Sequence, residues 1–155
     1  MEKTQKSLFD SPASRAAANA IKANIDGGAR GNPGPAAYGV VVRNAKGELL
    51  AELAAYLGNQ TNNFAEYSGL LAALEYAVTE KYPSLKVLSD SELLVKQMKG
   101  QYRVKNPGLL ELYERARALV RKLEHFSIDH VLREYNREAD RLVNKVLDSR
   151  SSGTR

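Results

Sequence analysis

A chain of 155 residues, 43% of them apolar and 26% charged, is long enough to bury one sizeable core and too short for two independent ones. It has no cysteine, no apolar run near the roughly 20 residues that span a bilayer, and no apolar segment of signal-peptide length at its start; this argues against a membrane protein, a disulfide framework and a thiolate metal site, and fits a reducing, cytoplasmic setting. The formal net charge of +5 permits a polyanionic partner without demanding one.

Residues 1–22 are polar and alanine-rich and read as a flexible extension, with Ser11-Pro12 offering an N-cap and first helical position to a short helix over Ala13–Ala20. The folded domain is expected over residues 23–148. Strands are predicted at Ala23–Asp26, Ala37–Arg43 and Leu49–Leu57, the last two joined by a turn carrying Gly47, which implies an antiparallel meander. A long helix follows over Asn62–Lys81, then a short buried strand at Leu85–Ser89 and a short helix over Glu92–Met98 stopped by Gly100. A second long helix is expected at Pro107–Leu123, a strand at Phe126–Leu132, and a closing helix over Asn136–Asp148 with Ala139, Leu142, Val143, Val146 and Leu147 on one side. The tail "SRSSGTR", residues 149–155, reads as disordered. This order, with no internal repeat, implies an α/β fold: a five-stranded mixed sheet, antiparallel meander plus parallel strands, flanked by helices.

Four carboxylates stand at the ends of these elements. Glu66 has a bland reading, because Asn63 precedes it at capping-box spacing, yet it shares a helix face with Leu70, Ala73 and Ala77 and so lies against the core. Asp90 can cap the helix that follows it, but it also ends a buried strand, where ligands gather in α/β folds. Asp140, in the first turn of the last helix, is explained by the helix dipole alone. Asp26 is different: in "IDGGARGNPGP" it ends a central strand and has no helix terminus to serve. If the four converge, their mutual repulsion calls for a divalent cation, and oxygen-only donors suit Mg²⁺ or Mn²⁺ better than zinc. Two such ions roughly 3.5–4 Å apart are a known arrangement for in-line phosphoryl displacement.

Four blocks, "DGGARGNPGPAAYG", "TNNFAEYSGLLAAL", "LSDSELLVKQM" and "NREADRLVNKVLD", together resemble the ribonuclease H type 1 family in order and spacing, over nearly all of residues 23–148. The resemblance implies a ribonuclease H-like fold and endonucleolytic hydrolysis of the RNA strand of RNA–DNA hybrids with two Mg²⁺ ions, leaving 5′-phosphate and 3′-hydroxyl ends. In it Asp26 would bridge both ions, Glu66 and Asp90 would complete the leaving-group ion, and Asp140 would help hold the ion that activates water. Asn32, Asn62 and Asn63 match positions near the hybrid's minor groove, where 2′-hydroxyls are sensed, and Gly27 and Gly28 would let the backbone approach the nucleic acid. Asparagine is equally a routine turn and cap residue.

The sequence departs from the family in three ways. The loop "HVLREYNREAD" lacks the histidine many members carry before the last carboxylate; Arg133 is the candidate for that place, able to position or stabilise charge but not to release a proton. His130 falls in the last strand and His125 at a helix end. The basic protrusion is missing, so the chain resembles the short form; Lys96, Lys99, Arg103 and Lys105, with Tyr102 among them, remain to track the DNA backbone or simply form a solvated face. Glu92 replaces a common glutamine. In the leading segment, Gln5–Phe9 resembles the short peptide by which bacterial replication and repair proteins dock on the sliding clamp. A monomer is expected. The alternatives are a catalytically weak module binding hybrid or double-stranded RNA, and a DNA strand-transfer enzyme of the same broad fold.

Overall fold

The strand carrying Asp26 sits at the centre of the sheet. The structure, a computed structural model, describes residues 19–153, with side chains through Arg150. The Gln5–Phe9 segment and all but the end of the helix expected at Ala13–Ala20 lie outside the described residues. Ala20 already belongs to the first strand, which thus starts three residues before the expected Ala23.

Strand β1 (Ala20–Ala29) pairs antiparallel with β2 (Gly34–Asn44), which pairs antiparallel with β3 (Leu49–Gln60). On its other side β1 runs parallel to β4 (Ser84–Ser89), and β4 parallel to β5 (His125–His130), giving the order β3-β2-β1-β4-β5. The helices are α1 (Asn62–Thr79), α2 (Glu92–Met98), α3 (Pro107–Val120) and α4 (Arg137–Gly153), with a 3₁₀ turn at Arg133–Tyr135 before α4.

Side-chain alternation decides what each sheet face does. Ile21, Ala23 and Ile25 of β1, Val40 and Val42 of β2, and Leu85 and Val87 of β4 are buried in the main core. Tyr67, Leu70, Leu74 and Ala77 of α1, Leu94, Val95 and Met98 of α2, and Leu112 and Ala116 of α3 join them there. A smaller apolar cluster forms where Val143 and Leu147 of α4 meet Ala37 of β2. Among the described residues, no helix is long and apolar enough to cross a membrane.

Three further boundary differences have identifiable causes or consequences. β1 does not stop at Asp26: Gly27, Gly28 and Ala29 continue the ladder opposite Tyr38, Ala37 and Ala36, because β2 supplies partners that override the low strand propensity of glycine. β5 stops at His130, and Leu132 flanks the 3₁₀ turn instead. α4 continues through Gly153, so the disordered tail expected from Ser149 does not begin there. Contacts hold those last turns down: the Arg150 guanidinium lies 4.2 Å from the Tyr56 ring centre, and Asp148 accepts a 2.6 Å bond from Arg30.

Candidate active site

Each carboxylate is brought in by a different element. Parallel pairing of β1 with β4 ends at Ile25 and Ser89, which sets Asp26, inside β1, beside Asp90, just past the end of β4. Glu66 comes from the second turn of α1 and Asp140 from the first turn of α4. Glycines make these approaches close. A Cβ on Gly27 would meet the Ala65 carbonyl and the Glu66 nitrogen, so β1 touches the backbone of α1 beside Glu66. Gly39, opposite Asp26 on β2, has the Ala139 carbonyl oxygen 2.6 Å from where its Cβ would stand, so α4 presses down beside Asp140. The smallness of Gly27 thus serves the packing of the protein on itself.

Neither Glu66 nor Asp90 caps its helix. Thr61 accepts from the Phe64 nitrogen at the start of α1, and Ser91 accepts from the Leu94 nitrogen at the start of α2. With capping done by neighbours, both carboxylates turn to the cleft. Asp26, Glu66 and Asp90 each offer an oxygen within 4.8 Å of the others. Asp140 stands outside this tight trio but lies near enough for its carboxyl to raise the pKa of Asp26.

The cost of this crowding is visible in the protonation equilibria. Burial, then the charge of Asp90 and the carboxyl of Asp140, push Asp26 up from 3.8 to about 8, against a stabilising bond from the Gly27 N–H. Glu66 is raised well above the ordinary glutamate range, by burial first and then by Asp26 and Asp90; the Gly27 N–H and the Arg133 guanidinium oppose the shift. Glu66 Oε1 is buried without a hydrogen-bond partner. An unpaired buried carboxylate oxygen is expensive, and a bound cation would supply the partner it lacks.

The four acids line one cavity of about 400 Å³ with Gly27, Gly28, Asn62 and Arg133. The other expected contacts lie outside it, and Asn62 has partners within the protein as well. Asn62 Oδ1 accepts from the Ala29 nitrogen at 2.8 Å, and the Asn62 nitrogen donates to Asn32 Oδ1 at 3.0 Å, so these side chains lock the β1–β2 loop to α1. Asn32 and Asn63 line a separate hollow with Thr61 and Asn106. Lys99 is paired with Asp129 at 3.1 Å, while Arg103 and Lys105 are exposed on the segment between α2 and α3. His125 and His130 are exposed at the two ends of β5, and neither lines the acidic cavity.

One functional position carries no signal in the sequence. Asn136, only 1% exposed, donates to the Ile25 carbonyl at 2.8 Å, and its Oδ1 accepts from Asn24 at 3.1 Å. Its own carbonyl receives the Asp140 nitrogen, so it fastens the start of α4 to β1 one residue from Asp26. In the sequence it is merely the first polar residue of a helical stretch.

A family model described as "Reverse transcriptase-like" matches residues 24–146. The ribonuclease HI of Halobacterium salinarum is 41% identical over 128 residues, 83% of this chain and 64% of that protein. The crystal structure of RNase H1 from that archaeon superposes with a TM-score of 0.81 over 84% of this chain and 98% of that one. The N-terminal RNase H domain of Rv2228c from Mycobacterium tuberculosis, solved as a maltose-binding-protein fusion, gives 0.84 at 43% identity over 88% of this chain and 99% of that one. Full-length Rv2228c, called a bifunctional protein, is 47% identical over 125 residues, 80% of this chain, which spans only 34% of its length. LC11-RNase H1 in complex with RNA/DNA hybrid gives 0.79 at 42% identity over 83% of this chain and 97% of that one. The sheet order and the acidic cleft are those of a ribonuclease H-like domain. The chain belongs to the ribonuclease H type 1 family.

Proposed function

We propose that this protein is an endonuclease that hydrolyses the RNA strand of RNA–DNA hybrids with two divalent cations, leaving 5′-phosphate and 3′-hydroxyl ends. The observation that carries the reading is the meeting of three oxygen donors within 4.8 Å around an orphaned Glu66 Oε1. Asp26, Glu66, Asp90 and Asp140 would hold the ions; with no nitrogen or sulfur donor among them, the set favours Mg²⁺, with Mn²⁺ as the alternative. Cations held there supply a water made nucleophilic and a counter-charge for the scissile phosphate. The chain's own groups do the rest. The rigid central strand keeps Asp26 in register with Asp90, Gly27 and Gly39 hold the helices close, and Arg133 places a fixed positive charge at the mouth of the cavity.

The test is direct: labelled hybrid incubated with purified protein is expected to be cut with Mg²⁺ and left intact with EDTA, and intact RNA in both arms rejects the reading. Double-stranded RNA in parallel separates the hybrid nuclease from a duplex-binding module. Asn136→Ala is expected to cost about 1–3 kcal/mol of stability, since it orphans the Ile25 carbonyl, and to lower kcat more than it raises KM. Urea melts and steady-state kinetics check both. The clamp-docking peptide at Gln5–Phe9 belongs to the same proposal; deleting residues 1–10 is expected to remove clamp binding in pull-down and to leave hybrid cleavage intact.

A further inference from the structure

Beside the acidic cavity lies a second cleft, of about 650 Å³, lined by Arg133, Glu134, Arg137, Asp140, Arg141 and Asn144. The two hollows share Arg133, Asp140 and Asn144, so they form one continuous path from the carboxylates onto the first turns of α4. The arginines there are hard to explain as stability devices. Arg137 opens a helix, where the macrodipole disfavours cations, and Arg141 follows it in the second turn. They are also four residues apart, the spacing at which like charges on a helix repel. Among the described residues, none of Arg133, Arg137 and Arg141 enters an ion pair, whereas Glu138 on the same helix is taken by Arg43 at 2.8 Å. Three guanidiniums and the positive end of a helix thus face one cleft that is lined by two carboxylates, Glu134 and the site's own Asp140, while Arg133 also acts on Glu66 in the acidic cavity.

We propose that this cleft grips the cleaved strand by its backbone phosphates just beyond the scissile position, on the Asp140 side, Arg137 and Arg141 each taking one phosphate. The proposal rests on the nuclease reading above. Arg137 and Arg141 are one turn apart, about 6 Å along the helix axis, so a single strand running down α4 meets them in succession. Guanidinium suits the task because its planar donors can hold a phosphate in bidentate fashion. A chain without the basic protrusion would in this way recover strand affinity next to the chemistry itself.

The experiment measures cleavage of a long hybrid by wild type and by Arg137→Ala/Arg141→Ala over a range of salt concentrations, with thermal melts to show that both are folded. The double variant is expected to raise KM about tenfold, with the loss falling on KM more than on kcat, and to flatten the slope of log KM against log salt by about 2, one for each phosphate left without its arginine. Arg137→Lys/Arg141→Lys is expected to keep the slope and recover only part of KM. Hybrids shortened stepwise from each end then locate the grip: the variant's penalty is expected to vanish when the strand ends before the gripped phosphates, in one of the two series only. An unchanged KM and salt slope, or a penalty that persists at every length from both ends, overturns the proposal. A wild type that cuts no hybrid at all overturns the nuclease reading instead, and the two failures are thereby distinguished.

Discussion

Asp26→Asn is expected to abolish hybrid cleavage and, in the absence of metal, to raise the melting temperature. The two effects have one cause. Asp26 is held at about 8 against its ordinary 3.8, so between those values the folded protein binds a proton that the unfolded chain does not. Stability of the metal-free wild type therefore falls as pH rises through that window and is greatest at its acid end, as linkage requires for a carboxyl whose folded-state pKa is raised. Asparagine copies the shape of the protonated acid and carries no charge to desolvate. The variant should melt at least about 5 °C above wild type near pH 8.5 in EDTA and close to it near pH 4, with each kcal/mol worth about 2–4 °C in a chain of this size. Added Mg²⁺ should raise the wild-type melt at pH 8.5, since a ligand of the native state stabilises it, and should do less for the variant. The activity loss should reach about 10³-fold or more, about 4 kcal/mol of barrier. Equal melts in EDTA at high pH would show that Asp26 is ionised there at no cost, which would remove the argument that the cluster is built to hold cations.

The order of the elements and the four acids can be read from the sequence because each depends on local signals: side-chain period, turn residues, and a carboxylate at the end of an apolar run. What Glu66 and Asp90 do cannot. Their neighbours Thr61 and Ser91 are equally competent caps, and the choice is made by the extended backbone at those two residues, with ψ of 164° and 100°, which spacing does not reveal. The asparagines show the same limit. Asn32 and Asn62 read in sequence as substrate contacts or as turn and cap residues, and the pairing that holds the β1–β2 loop against α1 joins residues 30 positions apart. Asn136 is invisible for a similar reason, since its partners Asn24 and Ile25 lie more than a hundred residues away. The tail beyond Asp148 looks solvated because its composition is polar; Arg150 is nonetheless drawn in by the face of Tyr56, and a cation over an aromatic ring is a contact of the fold rather than of composition.

Gly27 and Gly28 are indistinguishable in "DGGARG", yet the fold separates them sharply. An alanine at Gly27 would put its Cβ 2.5 Å from the Glu66 nitrogen and closer still to the Ala65 carbonyl. Backbone atoms cannot rotate away as a side chain can, so β1 and α1 would have to part by about an ångström or more, with loss of core packing along the strand. Gly27→Ala is therefore expected to destabilise by about 3 kcal/mol, the upper end of overpacking costs, and to widen the Asp26–Glu66 gap. Weaker Mg²⁺ binding by calorimetry and a kcat loss larger than the stability change explains should follow. At Gly28 the nearest neighbour of an added Cβ is Val143 Cγ1 at 3.7 Å, an ordinary van der Waals contact. Gly28→Ala should accordingly melt within about 1 kcal/mol of wild type, inside the range of substitutions that strain nothing. Hybrid affinity of this second variant then decides what its glycine is for: a raised Kd with an intact fold means that strand approach needs the bare backbone at Gly28, whereas an unchanged Kd leaves the close packing of β1 on α1 at Gly27 as the reason the chain after Asp26 is so poor in side chains.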